Sequence, residues 1–234
     1  QLKAVLFDLD GTLLPMDQEV FVKDYLGRMA AFLTPHGYDP EKLIQAVWKG
    51  TGAMVKNDGK ASNEDVFWQV FNDMMEKDAR QDSALFEEFY RGDFQKARQS
   101  CGFQPAAASA VREIRSLGYQ VILATNPLFP AVATQSRIRW AGLTPEDFEC
   151  ITTYENARFC KPNPDYYQEI LGKLNLDPSD CLMVGNDVDE DMIAETLGMR
   201  VFLLTDCLIN RNGKDISRYP SGGFPELLQY VRSL

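Results

Sequence analysis

Histidine is almost absent from this chain of 234 residues. The cysteines, which could also form metal or redox sites, are scattered along the sequence. The single histidine, His36, lies in a Pro-His-Gly turn and is interpreted as a loop residue. The five cysteines include no Cys-x-x-Cys pair. Zinc sites and disulfide frameworks need clustered ligands or regularly spaced cysteines, so neither is expected. The scattered cysteines instead predict reduced thiols in a cytoplasmic protein.

Basic residues are also few. The chain has 24 Lys and Arg residues against 34 Asp and Glu residues, which gives a formal net charge of −10. Nucleic acid attracts basic surfaces, so no nucleic-acid partner is expected. No stretch reaches 18 consecutive apolar residues, and the first residues have no basic and apolar leader pattern, so we expect no membrane segment and no signal sequence. The sequence does not indicate an oligomeric state.

What the chain does contain, close to its start, is an apolar run that ends in two acids. The run from Ala4 to Phe7 predicts a strand buried on both faces of a parallel sheet. Asp8 and Asp10 follow it, and because side chains alternate along a strand they are expected on the same side of the backbone. Gly11 then permits a sharp turn. The two carboxylates are therefore expected at the carboxyl end of a central strand, where open α/β sheets bind ligands.

The remainder of the chain divides into two parts. Residues 16–101 have helical periodicity: one helix covers Phe21 to Leu33, a second begins at Asp39-Pro40 and ends at Gly50, and two more follow a mobile loop over residues 50–61. The apolar stripes of these helices are interpreted as core, and they include Phe21, Tyr25, Trp48, Phe67 and Phe71. From Pro105 onward helices alternate with strands, with a surface loop over residues 211–223. Five strands separated by helices predict an α/β fold with a doubly wound parallel sheet, formed by residues 1–15 and 102–234 and interrupted by an all-helical insertion.

Polar residues fall just after the ends of the predicted strands. They are Asp8, Asp10, Thr12, Thr125, Asn126, Asp187 and Asp191, with Lys161 beginning a helix beside them. Two carboxylates about 4 Å apart repel by roughly 4 kcal/mol at an effective dielectric constant of 20, so four in one crevice require a cation. Oxygen ligands without His or Cys favour a hard ion, and Mg²⁺ suits a site that also holds phosphate. Lys161 would add positive charge, and Thr125 and Asn126 would donate to phosphate oxygens.

Four segments at these junctions resemble the motifs of the haloacid dehalogenase-like hydrolase superfamily. They are Asp-Leu-Asp-Gly-Thr, Ala-Thr-Asn, Cys-Lys-Pro-Asn-Pro and Gly-Asn-Asp-Val-Asp-Glu-Asp, in that order along the chain. The resemblance implies a Rossmann-like core, a helical first-position cap over residues 16–101, and hydrolysis of a small phosphorylated metabolite with Mg²⁺. It also implies that Asp8 is the nucleophile that forms an aspartyl-phosphate and that Asp10 is the general acid and base. Thr125 and Lys161 would bind the phosphoryl group, and Asp187 would be the main metal carboxylate.

Several alternatives stay open at the level of sequence. Either Asp189 or Asp191 could assist the metal, and the resemblance favours Asp191, because its position four residues after Asp187 fits the spacing in that superfamily. A phosphomutase of the same superfamily, or a non-catalytic phosphate-binding or interaction protein, would share most of these motifs. A dehalogenase is disfavoured because cleavage of a carbon–halogen bond has no use for the acid at position 10. Lys56 and Asn57, in the glycine-rich loop of the insertion, could contact substrate, or the loop could be a plain connection.

Overall fold

The computed structural model describes residues 1–234, and its centre is one six-stranded parallel sheet. The strands are β1 (Ala4–Phe7), β2 (Gln120–Leu123), β3 (Cys150–Ile151), β4 (Cys181–Gly185), β5 (Arg200–Leu204) and β6 (Ser221–Gly222). Their order across the sheet is β3-β2-β1-β4-β5-β6. β1 is central, with Phe7 in register with Leu123 of β2 and with Val184 of β4. The predicted parallel α/β sheet is therefore confirmed, and the sixth strand is an addition to it.

Successive residues of each strand point to opposite sides of the sheet, and both sides are buried. Val5 and Phe7 belong to a cluster of 44 buried apolar residues. Ala4 and Leu6 belong to a second cluster of 16 on the other face. The flanking helices of this part of the chain are α5 (Pro105–Ser116), α6 (Ala131–Trp140), α7 (Pro164–Leu174) and α8 (Phe224–Arg232). Helices on both faces explain why the strands are apolar runs without polar alternation.

The segment between β1 and α5 is helical. It contains α1 (Gln18–Leu33), α2 (Pro40–Val55), α3 (Asn63–Met75) and α4 (Ser83–Arg91), and a 3₁₀ helix covers Asp93–Ser100. The predicted caps are present: the side chain of Asp39 accepts the Lys42 N–H at the start of α2, and Ser62 accepts the Asp65 N–H at the start of α3. The chain leaves and returns to the sheet at neighbouring points, because Gly102 N donates to Pro15 O over 2.8 Å. None of the helices is both long and apolar enough to span a bilayer.

Two predictions about α2 are wrong. Gly50 does not end the helix, which continues to Val55 and so removes half of the predicted mobile loop. A Cβ on Gly50 would lie 2.7 Å from the ring of Phe67, so this glycine serves the close packing of α2 against α3. Trp48 is not a core residue either. Its side chain is 55% exposed, because the buried face of α2 is formed by Leu43, Ala46, Val47, Gly50 and Met54.

The predicted surface loop over residues 211–223 ends in a strand. Ser221 and Gly222 form β6, which pairs in parallel with Leu203 and Leu204 of β5. Sequence periodicity could not reveal a strand of two residues, one of them a glycine, since it is too short to show an alternation of apolar and polar positions. β6 extends the sheet at the edge opposite β3.

Candidate active site

The first-strand acids lie at the carboxyl edge of the sheet, and each contacts a buried cation. Asp8 continues the β1 ladder, since its N–H donates to Val184 O over 2.9 Å. Gly11 has a φ of +84°, and a Cβ there would lie 2.3 Å from the Asn186 side chain. The chain can therefore turn tightly beneath Asn186 and bring the Thr12 hydroxyl to Asp8 Oδ2 over 3.2 Å. This turn fixes the orientation of the Asp8 carboxylate.

Lys161 lies between two carboxylates at the base of the site. Its Nζ donates to Asp8 Oδ1 over 3.0 Å and to Asp191 Oδ1 over 2.7 Å, and its side chain is 1% exposed. Burial acts to lower the pKa of Lys161, but the charges of Asp191 and Asp8 outweigh it and raise that pKa well above 10.5. For Asp8 the balance is different: burial and the neighbouring Asp191 outweigh Lys161 and raise its pKa from 3.8 to about 7.

The turn after β4 places its acidic side chains in different surroundings. Asp191 folds back beneath the strand, where a Cβ on Gly185 would lie 2.2 Å from the Asp191 carboxyl carbon, so only glycine leaves room for it. Asp191 Oδ2 accepts the Asp187 N–H over 3.0 Å. Asp189 lies at the surface, where its carboxylate is 2.7 Å from Lys214 Nζ. Of the two candidate assisting acids, the structure thus places Asp191 at Lys161 and Asp189 outside the site.

Two of the three predicted phosphate-binding residues, Thr125 and Asn126, line one crevice with Asp8, and Lys161 reaches it only through its contact with Asp8. Thr125 is 2% exposed, and its hydroxyl makes no hydrogen bond to the protein; its carbonyl accepts from Thr152 and Tyr166. Asn126 Oδ1 accepts the Lys161 N–H over 3.0 Å. The crevice has a volume of about 130 Å³ and is lined by Asp8, Asp10, Met16, Gln18, Phe21, Val22, Thr125, Asn126, Leu128, Phe129, Asp187 and Glu190. Its apolar lining comes both from the helical insertion, through Met16, Phe21 and Val22, and from the connection between β2 and α6, through Leu128 and Phe129.

The four predicted metal carboxylates do not converge on one point, which corrects the sequence-based picture. No group of three or more His, Cys, Asp or Glu side chains is arranged to hold a metal ion. The Asp10 carboxylate is turned to Arg137, and Asp191 is 1% exposed and does not line the crevice. Asp8 and Asp187 remain as carboxylates that face the crevice.

Asp187 retains an oxygen suited to a cation. Its Oδ1 accepts the N–H groups of Asp189 and Glu190, whereas the buried Oδ2 has no hydrogen-bond partner. Arg211 Nη2 approaches Oδ2 to 2.8 Å, but outside the angular range of a hydrogen bond. Burying this carboxylate oxygen requires positive charge, which the Arg211 guanidinium supplies here and which a metal ion bound to Oδ2 would supply in its place. The donor set of Asp8 and Asp187, hard oxygens only, fits Mg²⁺.

Lys56 and Asn57 do not line the crevice, so the structure does not bring these two predicted substrate residues to the site. Lys56 is exposed, and Asn57 is buried with its polar atoms occupied. Asn57 Nδ2 donates to Ala61 O and Asn63 Oδ1, each over 2.9 Å, and Oδ1 accepts the Gly59 N–H. Asn63 in turn donates to Phe159 O over 3.3 Å. Asn57 thus shapes the turn that docks the insertion beside the Lys161 segment.

Three residues of the site escape sequence reasoning: Arg137, Glu190 and Arg211. Arg137 is fully buried on α6 and forks onto Asp10, with Nε–Oδ1 and Nη2–Oδ2 distances of 2.9 and 3.2 Å. A signal for it exists, since Arg137 stands on the otherwise apolar stripe of α6, four residues after Ala133 and three before Trp140. Burial, followed by the charge of Asp187, raises the pKa of Glu190 to about 7. Arg211 lies in a polar turn that resembles any surface loop.

Several known proteins are similar to this chain in sequence or in fold. A phosphoglycolate phosphatase from Vibrio vulnificus is 24% identical over 207 residues, which are 88% of this chain and 84% of the relative. A HAD phosphatase from Thermococcus onnurineus superposes with a TM-score of 0.59 at 20% identity over 98% of both chains. A 2-haloacid dehalogenase from Pseudomonas syringae gives 0.60 at 22% identity, over 100% of this chain and 99% of its own. At these identities the two structures show a shared fold.

The family follows from a broader match. The model of a family described as haloacid dehalogenase-like hydrolase covers residues 2–194, which include the helical insertion and every predicted motif. That span is most of the chain. The protein therefore belongs to the haloacid dehalogenase-like hydrolases.

Proposed function

We propose that the protein is a Mg²⁺-dependent phosphatase that hydrolyses a small phosphorylated metabolite through an aspartyl-phosphate. The observation that carries the proposal is the Asp8 carboxylate, held by Lys161 and Thr12 at the floor of the crevice, with a second acid two residues later. The phosphatase names of several relatives support it. A crevice of about 130 Å³ suits a small substrate. The five free thiols support the expectation of a reducing, cytoplasmic location.

The reaction would proceed in two successive displacements at phosphorus. An Asp8 oxygen attacks phosphorus, the bond to the leaving oxygen breaks, and Asp10 gives that oxygen a proton. Asp10 then takes a proton from water as the water oxygen attacks the aspartyl-phosphate, which restores Asp8. Lys161 offsets negative charge at Asp8, and the Thr125 hydroxyl is free to donate to a phosphoryl oxygen. Mg²⁺, held by Asp8 and Asp187, would supply further positive charge to the phosphoryl oxygens.

The direct test is phosphate release from p-nitrophenyl phosphate and from a panel of phosphorylated metabolites, with and without Mg²⁺. Wild-type protein should release phosphate and Asp8→Asn should not, because an amide is a poor nucleophile. Asp189→Asn is a matched control, since Asp189 lies in the same acidic turn but faces Lys214. Release of halide from a 2-haloacid without phosphatase activity would identify a dehalogenase, and failure to turn over either class would favour a binding protein. Transfer of phosphate within a sugar would identify a mutase.

A further inference from the structure

Arg137 is one of only two cationic side chains buried in the whole protein. The other is Lys161, and the exposed fractions of the two side chains are 0% and 1%. Each pairs with one of the two first-strand acids, Lys161 with Asp8 and Arg137 with Asp10. Burying a guanidinium costs several kcal/mol, and a buried ion pair is often no more stable than apolar side chains of the same size. The arrangement therefore needs an explanation other than stability.

The surroundings of Arg137 hold the guanidinium in one place. Its central carbon lies 4.2 Å from the centroid of the Phe129 ring, a cation–π contact with a residue that also lines the crevice. Phe129 is itself held by Tyr25, with ring centroids 5.3 Å apart. The nitrogen Nη1 is buried without a hydrogen-bond partner. Since no protein atom pairs with this donor, it adds to the cost of burying the guanidinium.

The fork also determines what Asp10 can do. Asp10 lines the crevice and its side chain is 19% exposed, so it is accessible to a substrate. Both of its oxygens accept from Arg137, and the Nη2–Oδ2 contact of 3.2 Å is longer than the Nε–Oδ1 contact of 2.9 Å. Proton transfer to a leaving group requires one oxygen to be free of the fork. Release of Oδ2 alone would leave the carboxyl anchored through Oδ1.

From this geometry we propose that Arg137 is the positioning residue for Asp10. It anchors Oδ1, while Oδ2 turns away from Nη2 and takes up a proton from solvent, donates that proton to the leaving oxygen as the phosphorus–oxygen bond breaks, and later accepts a proton from the attacking water. The inference rests on the proposed phosphatase function. Misplacing a catalytic group by about 1 Å can cost on the order of 10²-fold in rate. The loss should follow the need of the leaving group for a proton.

The test compares kcat/KM for an alkyl phosphate, which leaves poorly, with that for p-nitrophenyl phosphate, whose leaving group needs no proton. The kcat/KM values report the step up to aspartyl-phosphate formation, so water activation does not enter them. Arg137→Met should lower the alkyl phosphate value about 10²-fold and the p-nitrophenyl phosphate value less than about 10-fold. In an Asp10→Asn background the same substitution should cost less than about 3-fold, because the two residues act as a unit. Arg139→Met, an exposed arginine of the same helix, should change neither value.

Arg137→Lys provides the test if Arg137→Met does not fold. It keeps a buried charge but cannot form the two-pronged contact, so the same preference for good leaving groups is expected. Equal losses on both substrates, or losses that add to those of Asp10→Asn, would overturn the positioning role while leaving the phosphatase proposal intact. Absence of phosphate release by the wild-type protein from any phosphate ester would overturn both.

Discussion

Replacing Asp8, the proposed nucleophile, should make the metal-free protein more stable at neutral pH. Asp8 is 7% exposed, and its pKa is raised from 3.8 to about 7 because burial and the charge of Asp191 outweigh the attraction of Lys161. The folded protein therefore keeps a proton on Asp8 that the unfolded chain has already released between these two pH values. The stability that this proton confers is present below pH 3.8 and is lost as the pH rises towards 7. Asp8→Asn cannot ionise, so it escapes this loss.

The size of the effect follows from the shift. At about 1.4 kcal/mol per pKa unit, a rise from 3.8 to about 7 corresponds to about 4 kcal/mol of unfolding free energy. The advantage of Asp8→Asn over wild type should grow by up to that amount between about pH 4 and about pH 8. Asp189 provides the opposite control, since its hydrogen bond to Lys214 lowers its pKa. Asp189→Asn should therefore gain nothing on wild type as the pH rises.

Urea denaturation in the presence of EDTA at the two pH values measures the difference. The midpoint of Asp8→Asn should exceed that of wild type at about pH 8, and the two should lie closer at about pH 4. A difference between variant and wild type that is the same at both pH values would refute the assignment of the buried charge to Asp8. Mg²⁺ added at the higher pH should stabilise wild type more than the variant, because only wild type has both carboxylates of the proposed Mg²⁺ site, Asp8 and Asp187.

Three further outcomes are expected. EDTA should stop phosphate release, and Mg²⁺ should restore it better than Ca²⁺, which prefers longer bonds and more ligands; equal rates with both ions would contradict the site. Arg211→Ala should increase the rise in Tm that a fixed Mg²⁺ concentration produces, because the guanidinium 2.8 Å from Asp187 competes with the ion, and an unchanged rise would exclude this competition. Asn57→Ala should lower the unfolding free energy in urea by about 1–3 kcal/mol, since its partners lose buried hydrogen bonds. Lys56→Ala, at an exposed position, should change neither stability nor KM.

The sequence predicts the sheet and the strand-end acids well, because both leave local signals. Apolar runs that end in Asp8, Thr125 and Asp187 identify strands and their carboxyl ends together. It fails where long-range packing decides. Gly50 reads as a helix stop, but it is the contact point for Phe67 of the next helix. Periodicity places Trp48 on a buried stripe, yet α2 rotates it to the solvent.

The pairing of Arg137 with Asp10 could not be predicted from the sequence for a related reason. Arg137 reaches Asp10 across 127 positions of the chain, so no local spacing connects them. The fourfold carboxylate cluster illustrates the converse error. Position at a strand end brings Asp10 and Asp191 to the same edge of the sheet, but each side chain turns to its own cation.

The crossing of the chain at Pro15 and Gly102 has a consequence for how such a protein can diversify. Met16 and Cys101 form an antiparallel bridge, and the Gly102 N–H donates to Pro15 O, so the two ends of the 86-residue segment from Met16 to Cys101 lie side by side. A cassette with adjacent ends can be lengthened, shortened or exchanged without altering the register of the strands around it. Such an exchange is limited by aromatic contacts between the insertion and the core, such as the stacked rings of Phe94 and Trp140, whose centroids are 5.2 Å apart. A different insertion would need a comparable apolar surface to pack against the core. It would change the residues that cover the crevice while leaving the strand-end residues unchanged.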